Sequence, residues 1–142
     1  AFIPAKAKHM IRDCKLIAER NNVKFKFNSY FPIRSLNLMR GVLVAEEDNI
    51  KNYYIDNIFN TVWQDGLNMN DENIIKKILK NLNINPNTFF LRSASSLIKD
   101  SLRKKTTEAY EKGIFGAPTF VVNNKIFWGQ DRLEFALKEA SK

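Results

Sequence analysis

Apolar residues recur three and four positions apart over most of this chain, the spacing of one face of an α-helix. Pro4 opens the first such stretch, where its missing N–H costs nothing, and the pattern runs to about residue 22. Met10, Cys14 and Ile17, flanked by Ile11 and Ala18, form its stripe. Residues 23–27 (Val-Lys-Phe-Lys-Phe) then alternate strictly, which predicts a strand with one buried face. A helix followed by a strand suggests the end of a βαβ unit whose first strand lies upstream of Ala1. Phe31-Pro32 breaks the pattern. Helices are expected from Ser35 to about Ala45, with Leu36, Met39 and Leu43 on one face, and from Ile50 to Trp63. The second carries Tyr54, Ile55, Ile58, Phe59 and Val62, and Gly66 stops it. Asn70 or Asp71 caps the next helix, and Asn85-Pro86 enters another segment. Residues 89–112 read as helical with a bend near 93–96, ending at Gly113. Residues 35–112 are thus expected to be an all-helical block.

The period changes after Gly116. Thr119-Phe120-Val121-Val122 and Lys125-Ile126-Phe127-Trp128 flank Asn123-Asn124, a pair that tolerates positive φ, and this predicts a β-hairpin. Gly129 turns the chain, and Asp131 with Glu134 resembles a capping box at the start of a last helix.

Composition narrows the chemistry. The chain has 142 residues, is 44% hydrophobic and carries 11 Phe, enough apolar material for a packed core. No apolar run is long enough to span a bilayer, and the first residues lack the basic and apolar regions of a signal peptide. The single cysteine, Cys14, excludes an internal disulfide or a CxxC pair within these residues, and fits a reducing, cytoplasmic setting. Its place on a helical stripe favours a buried, inert thiol over a reactive one. One histidine, His9, rules out a His cluster, and no metal site is expected. The net charge of +8 admits nucleic acid or anionic ligands. Lys76, Lys77 and Lys80 read as the solvated face of their helix, and no Arg–aromatic stripe accompanies the Arg103-Lys104-Lys105 run, so nucleic-acid binding is disfavoured.

Two C-terminal runs carry a resemblance. Gly113-Ile114-Phe115-Gly116-Ala117-Pro118-Thr119-Phe120 and Phe127-Trp128-Gly129-Gln130-Asp131-Arg132-Leu133 resemble the closing half of the 2-hydroxychromene-2-carboxylate isomerase family. That family belongs to the DsbA-like thioredoxin superfamily and is related to kappa-class glutathione transferases. Residues 3–13, Phe31-Pro32-Ile33-Arg34-Ser35-Leu36 and Val62-Trp63-Gln64-Asp65-Gly66 are also similar to its pattern. The resemblance implies an α/β thioredoxin-like fold with an inserted all-helical domain, its first βα unit missing from the chain. Residues 1–34 and 113–142 would be the thioredoxin-like part, and residues 35–112 the insertion.

The resemblance further implies a glutathione-dependent isomerase or transferase acting by thiol addition on a small, aromatic-derived acid, commonly as a homodimer. Ala117, before a cis Pro118, would hold the cysteinyl backbone of glutathione; Pro118 as an ordinary trans proline at a strand start is the other reading. Gln130 and Asp131 would bind the γ-glutamyl group, although Asp131 is also a plain N-cap candidate. Lys6 would steer the substrate carboxylate, or stand simply in solvent. The family's thiol-meeting Ser lies in the unit expected upstream, so no residue here is assigned to catalysis and these 142 residues are expected to be catalytically impaired. A DsbA-like thiol–disulfide oxidoreductase with its CxxC upstream, and a non-enzymatic thioredoxin-like interaction domain, are the alternatives.

Overall fold

The computed structural model describes residues 3–142. The element order is α1 (Pro4–Arg20), α2 (Leu36–Glu47), α3 (Lys51–Asn60), a π turn (Thr61–Asp65), α4 (Glu72–Asn81), α5 (Pro86–Ser93) and α6 (Ser96–Glu111). After these come β1 (Thr119–Val122), β2 (Lys125–Trp128), a 3-10 turn (Gln130–Arg132) and α7 (Leu133–Ala140). The chain divides into two compact units, one ending at Lys99 and the other starting at Asp100. The boundary in sequence falls inside α6.

In the first unit, local chemistry places the helix ends. Asp71 accepts a hydrogen bond from the Asn73 N–H at 2.8 Å, and Asn85 accepts from the N–H groups of Asn87 and Thr88, each pair satisfying first-turn donors. Pro86 follows Asn85 at the first helical position. Gly66 ends the π turn at φ +69. The interior is apolar: Val44, Ala45 and Leu79 are wholly buried, with Tyr54 and Met69 1% exposed. Burial pushes the Tyr54 phenol pKa up; its hydroxyl donates to the Leu38 carbonyl at 3.2 Å. Arg92 of α5 clamps the end of α2, donating to Asp48 at 2.8 Å and Glu47 at 2.7 Å.

Four expectations are corrected in this unit. Residues 23–27 form no strand: Phe25 and Phe27 are half-buried on one side, but no strand pairs with them among the described residues. Alternation sets which side faces inward, whereas a strand also needs a ladder partner. Cys14 is exposed, and α1 buries no residue, so the stripe through Met10, Cys14 and Ile17 is not core. In α2 the buried positions are Leu38, Gly41, Leu43, Val44 and Ala45, while Leu36 and Met39 face solvent. The long helix expected over 89–112 is two helices, separated between Ser93 and Ser96.

The second unit holds the hairpin and α7. Asn123 and Asn124 take φ +48 and +60, the left-handed pair of a tight hairpin turn, and β1 and β2 pair antiparallel with Thr119 opposite Trp128. Gly113 closes α6 at φ +77, with its N–H on the Tyr110 carbonyl and the Ile114 N–H on that of Ala109. Glu139 of α7 is the polar anchor. Its carboxylate accepts from Lys125 at 2.8 Å and Lys142 at 2.7 Å, and its carbonyl accepts from the Asn123 amide at 3.1 Å. Those two ammonium groups, Lys125 first, hold its pKa at about 2, well below the usual carboxylate range.

Candidate ligand-binding site

Two short turns meet at the open end of the hairpin. The register puts Thr119 beside Trp128, so the segment before β1 and the one after β2 are neighbours. The Gly129 N–H donates to the Pro118 carbonyl at 2.9 Å, joining the turns. Thr119 Oγ1 donates to the Gly116 carbonyl at 2.6 Å, which tightens the loop ahead of β1. The Ala117–Pro118 peptide bond is cis, as is Phe31–Pro32. Trp128 lies over Gly116, where an added Cβ would fall 2.5 Å from Nε1, and its ring meets Phe115 at 5.1 Å between centroids. A larger residue at 116 would have to push the half-exposed indole aside.

The four residues singled out at this end are Ala117, Pro118, Gln130 and Asp131, and all are exposed. The backbone N–H and C=O of Ala117 enter none of the hydrogen bonds that tie the loop. Gly129 adopts φ +106, and a side chain there would fall 2.6 Å from Asp131 Oδ1. Asp131 Oδ2 pairs with Arg132 Nη1 at 2.8 Å, which leaves Oδ1 without a hydrogen-bond partner among the described residues. The expected capping box is absent: Asp131 sits inside the 3-10 turn, and neither that turn nor α7 has a side-chain cap. The ion pair with the adjacent Arg132 takes the place of the cap. Arg132 also lies over the Phe135 ring at 5.9 Å.

Lys6 is exposed in the first turn of α1, in the unit ending at Lys99. That unit has its own apolar cavity of about 480 Å³, with Cys14, Phe25, Phe27, Phe31 and Trp63 among its walls. One residue behind these aromatics escaped sequence reasoning. Asn28 is fully buried and donates its amide to the carbonyls of Val62 (3.0 Å) and Leu67 (2.9 Å) while accepting the Tyr30 N–H at 2.8 Å. With the Lys26 N–H on the Trp63 carbonyl at 2.6 Å, it pins residues 26–30 to the π turn. A polar residue just after an alternating run reads as a turn, and nothing in its type marks it as buried. No cluster of three or more metal-ligating side chains occurs among the described residues. No helix among them is long and apolar enough to cross a membrane.

One unit is helical and the other holds a hairpin, a closing helix and a cis-proline turn at the hairpin mouth. The chain belongs to the DSBA-like thioredoxin domain family, which matches residues 1–140. It is 28% identical over 132 residues to 2-hydroxychromene-2-carboxylate isomerase of Sphingobium xenophagum, covering 92% of this chain and 66% of that protein. It is 29% identical over 87 residues to the protein of the same name from Pseudomonas putida, covering 61% and 42%. The solved selenomethionine form of 2-hydroxychromene-2-carboxylate isomerase superposes with a TM-score of 0.84 at 23% identity, over 96% of this chain and 66% of that one, which shows a shared fold. The chain spans about two thirds of the length of the Sphingobium relative and of that structure.

Proposed function

We propose that this chain serves a glutathione-dependent isomerase or transferase of the 2-hydroxychromene-2-carboxylate isomerase type. The observation that carries the reading is the pairing, at one end of the hairpin, of an Ala117 backbone and an Asp131 oxygen that are both unengaged among the described residues. An extended peptide docks on free backbone groups by adding a short strand-like contact. Ala117 would supply that contact to the cysteinyl unit, with Pro118 fixing the direction of the loop. Asp131 Oδ1 would accept from the γ-glutamyl ammonium, and Gln130 would donate to its carboxylate. Lys6 would attract the carboxylate of an aromatic-derived acid. When bound, glutathione supplies a sulfur nucleophile for reversible addition to a conjugated double bond, which permits rotation about it.

This reading assigns no residue of the 142 to thiol activation, so low turnover by these residues alone is part of the proposal. So are a homodimer and a cytoplasmic setting. The family match also favours a second reading, a thiol–disulfide oxidoreductase, whose CxxC would have to lie outside these residues because Cys14 is their single cysteine. Calorimetric titration of glutathione against the protein and Asp131→Ala tests the first reading. Loss of a charge-assisted hydrogen bond predicts binding weaker by about tenfold with the fold unchanged. Equal affinity for both proteins would remove Asp131 from the site, and no binding to either would end the glutathione reading.

A further inference from the structure

Arg34, from the run Phe31-Pro32-Ile33-Arg34-Ser35-Leu36 that takes no part in the proposed glutathione site, lines a second cavity, of about 380 Å³, in the helical unit. That size lies in the range of small-molecule sites. Leu38, Met69, Ile75 and Phe90 give it an apolar floor, and the first three of these are buried. Its polar wall is dominated by donors. Arg34, Asn37 and Asn70 line it.

The hydrogen bonds around the cavity consume acceptors and leave donors over. The Asn70 side-chain oxygen accepts the Arg34 N–H at 2.8 Å, and the Asn37 oxygen accepts from Arg40 at 3.3 Å. Each amide therefore keeps its NH2 group for something else. No carboxylate pairs with the Arg34 guanidinium among the described residues. The one carboxylate in the wall, Glu72, is engaged by Lys76 at 2.6 Å, and Lys76 also lies over the Phe90 ring at 5.9 Å. The first turn of α2, which contributes Asn37 and Leu38 to the lining, carries no acidic residue and no side-chain cap. Its positive end adds to the same excess of donors. The Arg34–Asn70 bond ties the loop before α2 to the turn before α4, so this part of the wall is braced from both sides.

We propose that the cavity bounded by Arg34, Asn37 and Asn70 binds a small carboxylate with an apolar body, the carboxylate on the three donors and the body on the Leu38–Met69–Phe90 floor. The site uses none of the residues assigned to glutathione. It stands or falls in glutathione-free buffer, whatever the outcome at Asp131.

Benzoate is the probe, with benzyl alcohol as its neutral counterpart. The readout is the shift of the Asn37 and Asn70 side-chain NH2 resonances in two-dimensional NMR of the 15N-labelled protein. Benzoate should move both saturably, and benzyl alcohol should not. Arg34→Ala should weaken benzoate by about tenfold, the usual scale for losing one charge-assisted bond. Lys77→Ala, on the solvated face of α4, should leave it unchanged. Arg34 is exposed, so its variant should keep the wild-type melting curve. Should Arg34→Ala prove unfolded, the Asn70→Asp variant decides instead: a carboxylate in the wall should abolish benzoate binding. Absence of saturable shifts at the two amides, equal response to benzyl alcohol, or unchanged affinity in Arg34→Ala or Asn70→Asp would each overturn the proposal.

Discussion

The two units are held together by different forces. The unit ending at Lys99 has an apolar interior: Val44, Ala45 and Leu79 are inaccessible to solvent, and Tyr54 and Met69 nearly so. In the unit from Asp100 onward, Ala136 is the one buried apolar side chain among the described residues, and the buried partner beside it is charged Glu139. Phe115, Trp128, Phe135 and Leu137 stay exposed there. Burial of nonpolar area dominates folding in the first case. In the second, ladder hydrogen bonds, a tight turn and one ion-paired carboxylate maintain the shape. Substitutions should therefore follow opposite rules in the two units. Trp63 belongs to one and Trp128 to the other, so Trp→Phe variants give each unit its own fluorescence signal.

The largest effect is expected in the apolar interior. Leu79→Ala should cost about 3 kcal/mol, the transfer term plus the cavity left in a packed site. Denaturant unfolding followed through Trp63 measures it, and a cost below about 1 kcal/mol would mean the interior relaxes, weakening the contrast. Asn28→Ala comes next, at about 2 kcal/mol, because it strands two carbonyls and an N–H that the side chain now satisfies. It should also loosen the aromatic wall at Phe27 and Phe31, seen as a red shift of Trp63 emission before global unfolding.

The third effect is smaller at neutral pH and confined to the second unit. Glu139 has its pKa lowered from an ordinary 4.5 to about 2 in the folded state. Its contribution is complete above about pH 5 and is lost as pH falls toward 2, since the unfolded chain then binds the proton more readily. The wild-type stability read through Trp128 should fall across that window, and Glu139→Gln should flatten the slope. An unchanged slope would show that Lys125 and Lys142 do not govern this unit. Asp131→Ala, by contrast, should shift stability by less than about 0.5 kcal/mol, as an exposed residue away from any cap.

Much of the local architecture was legible in the sequence. Asn85-Pro86, Asp71, Gly66, Gly113 and Asn123-Asn124 each act within a few residues of themselves, through a cap bond or a left-handed φ, and the structure realises all of them. The hairpin register followed from its two-residue turn. The proposed site was legible as a set of residues, because Ala117, Pro118, Gln130 and Asp131 lie in two runs flanking that hairpin. Its electrostatics were not. Asp131 had two possible partners close by, the first-turn N–H groups of the last helix and Arg132, and only side-chain positions show that Arg132 takes it.

The sequence by itself determined several helix caps, where the hairpin reverses, and which family the chain joins, since these rest on short-range sterics and on motif residues. The tertiary structure decided what lies against what. Among the described residues it left 23–27 without a ladder, put Cys14 in solvent, buried Asn28 and gave Glu139 two ammonium partners. Each of these outcomes depends on a partner distant in sequence or on the lack of one, and a periodic pattern specifies a face without naming what will cover it.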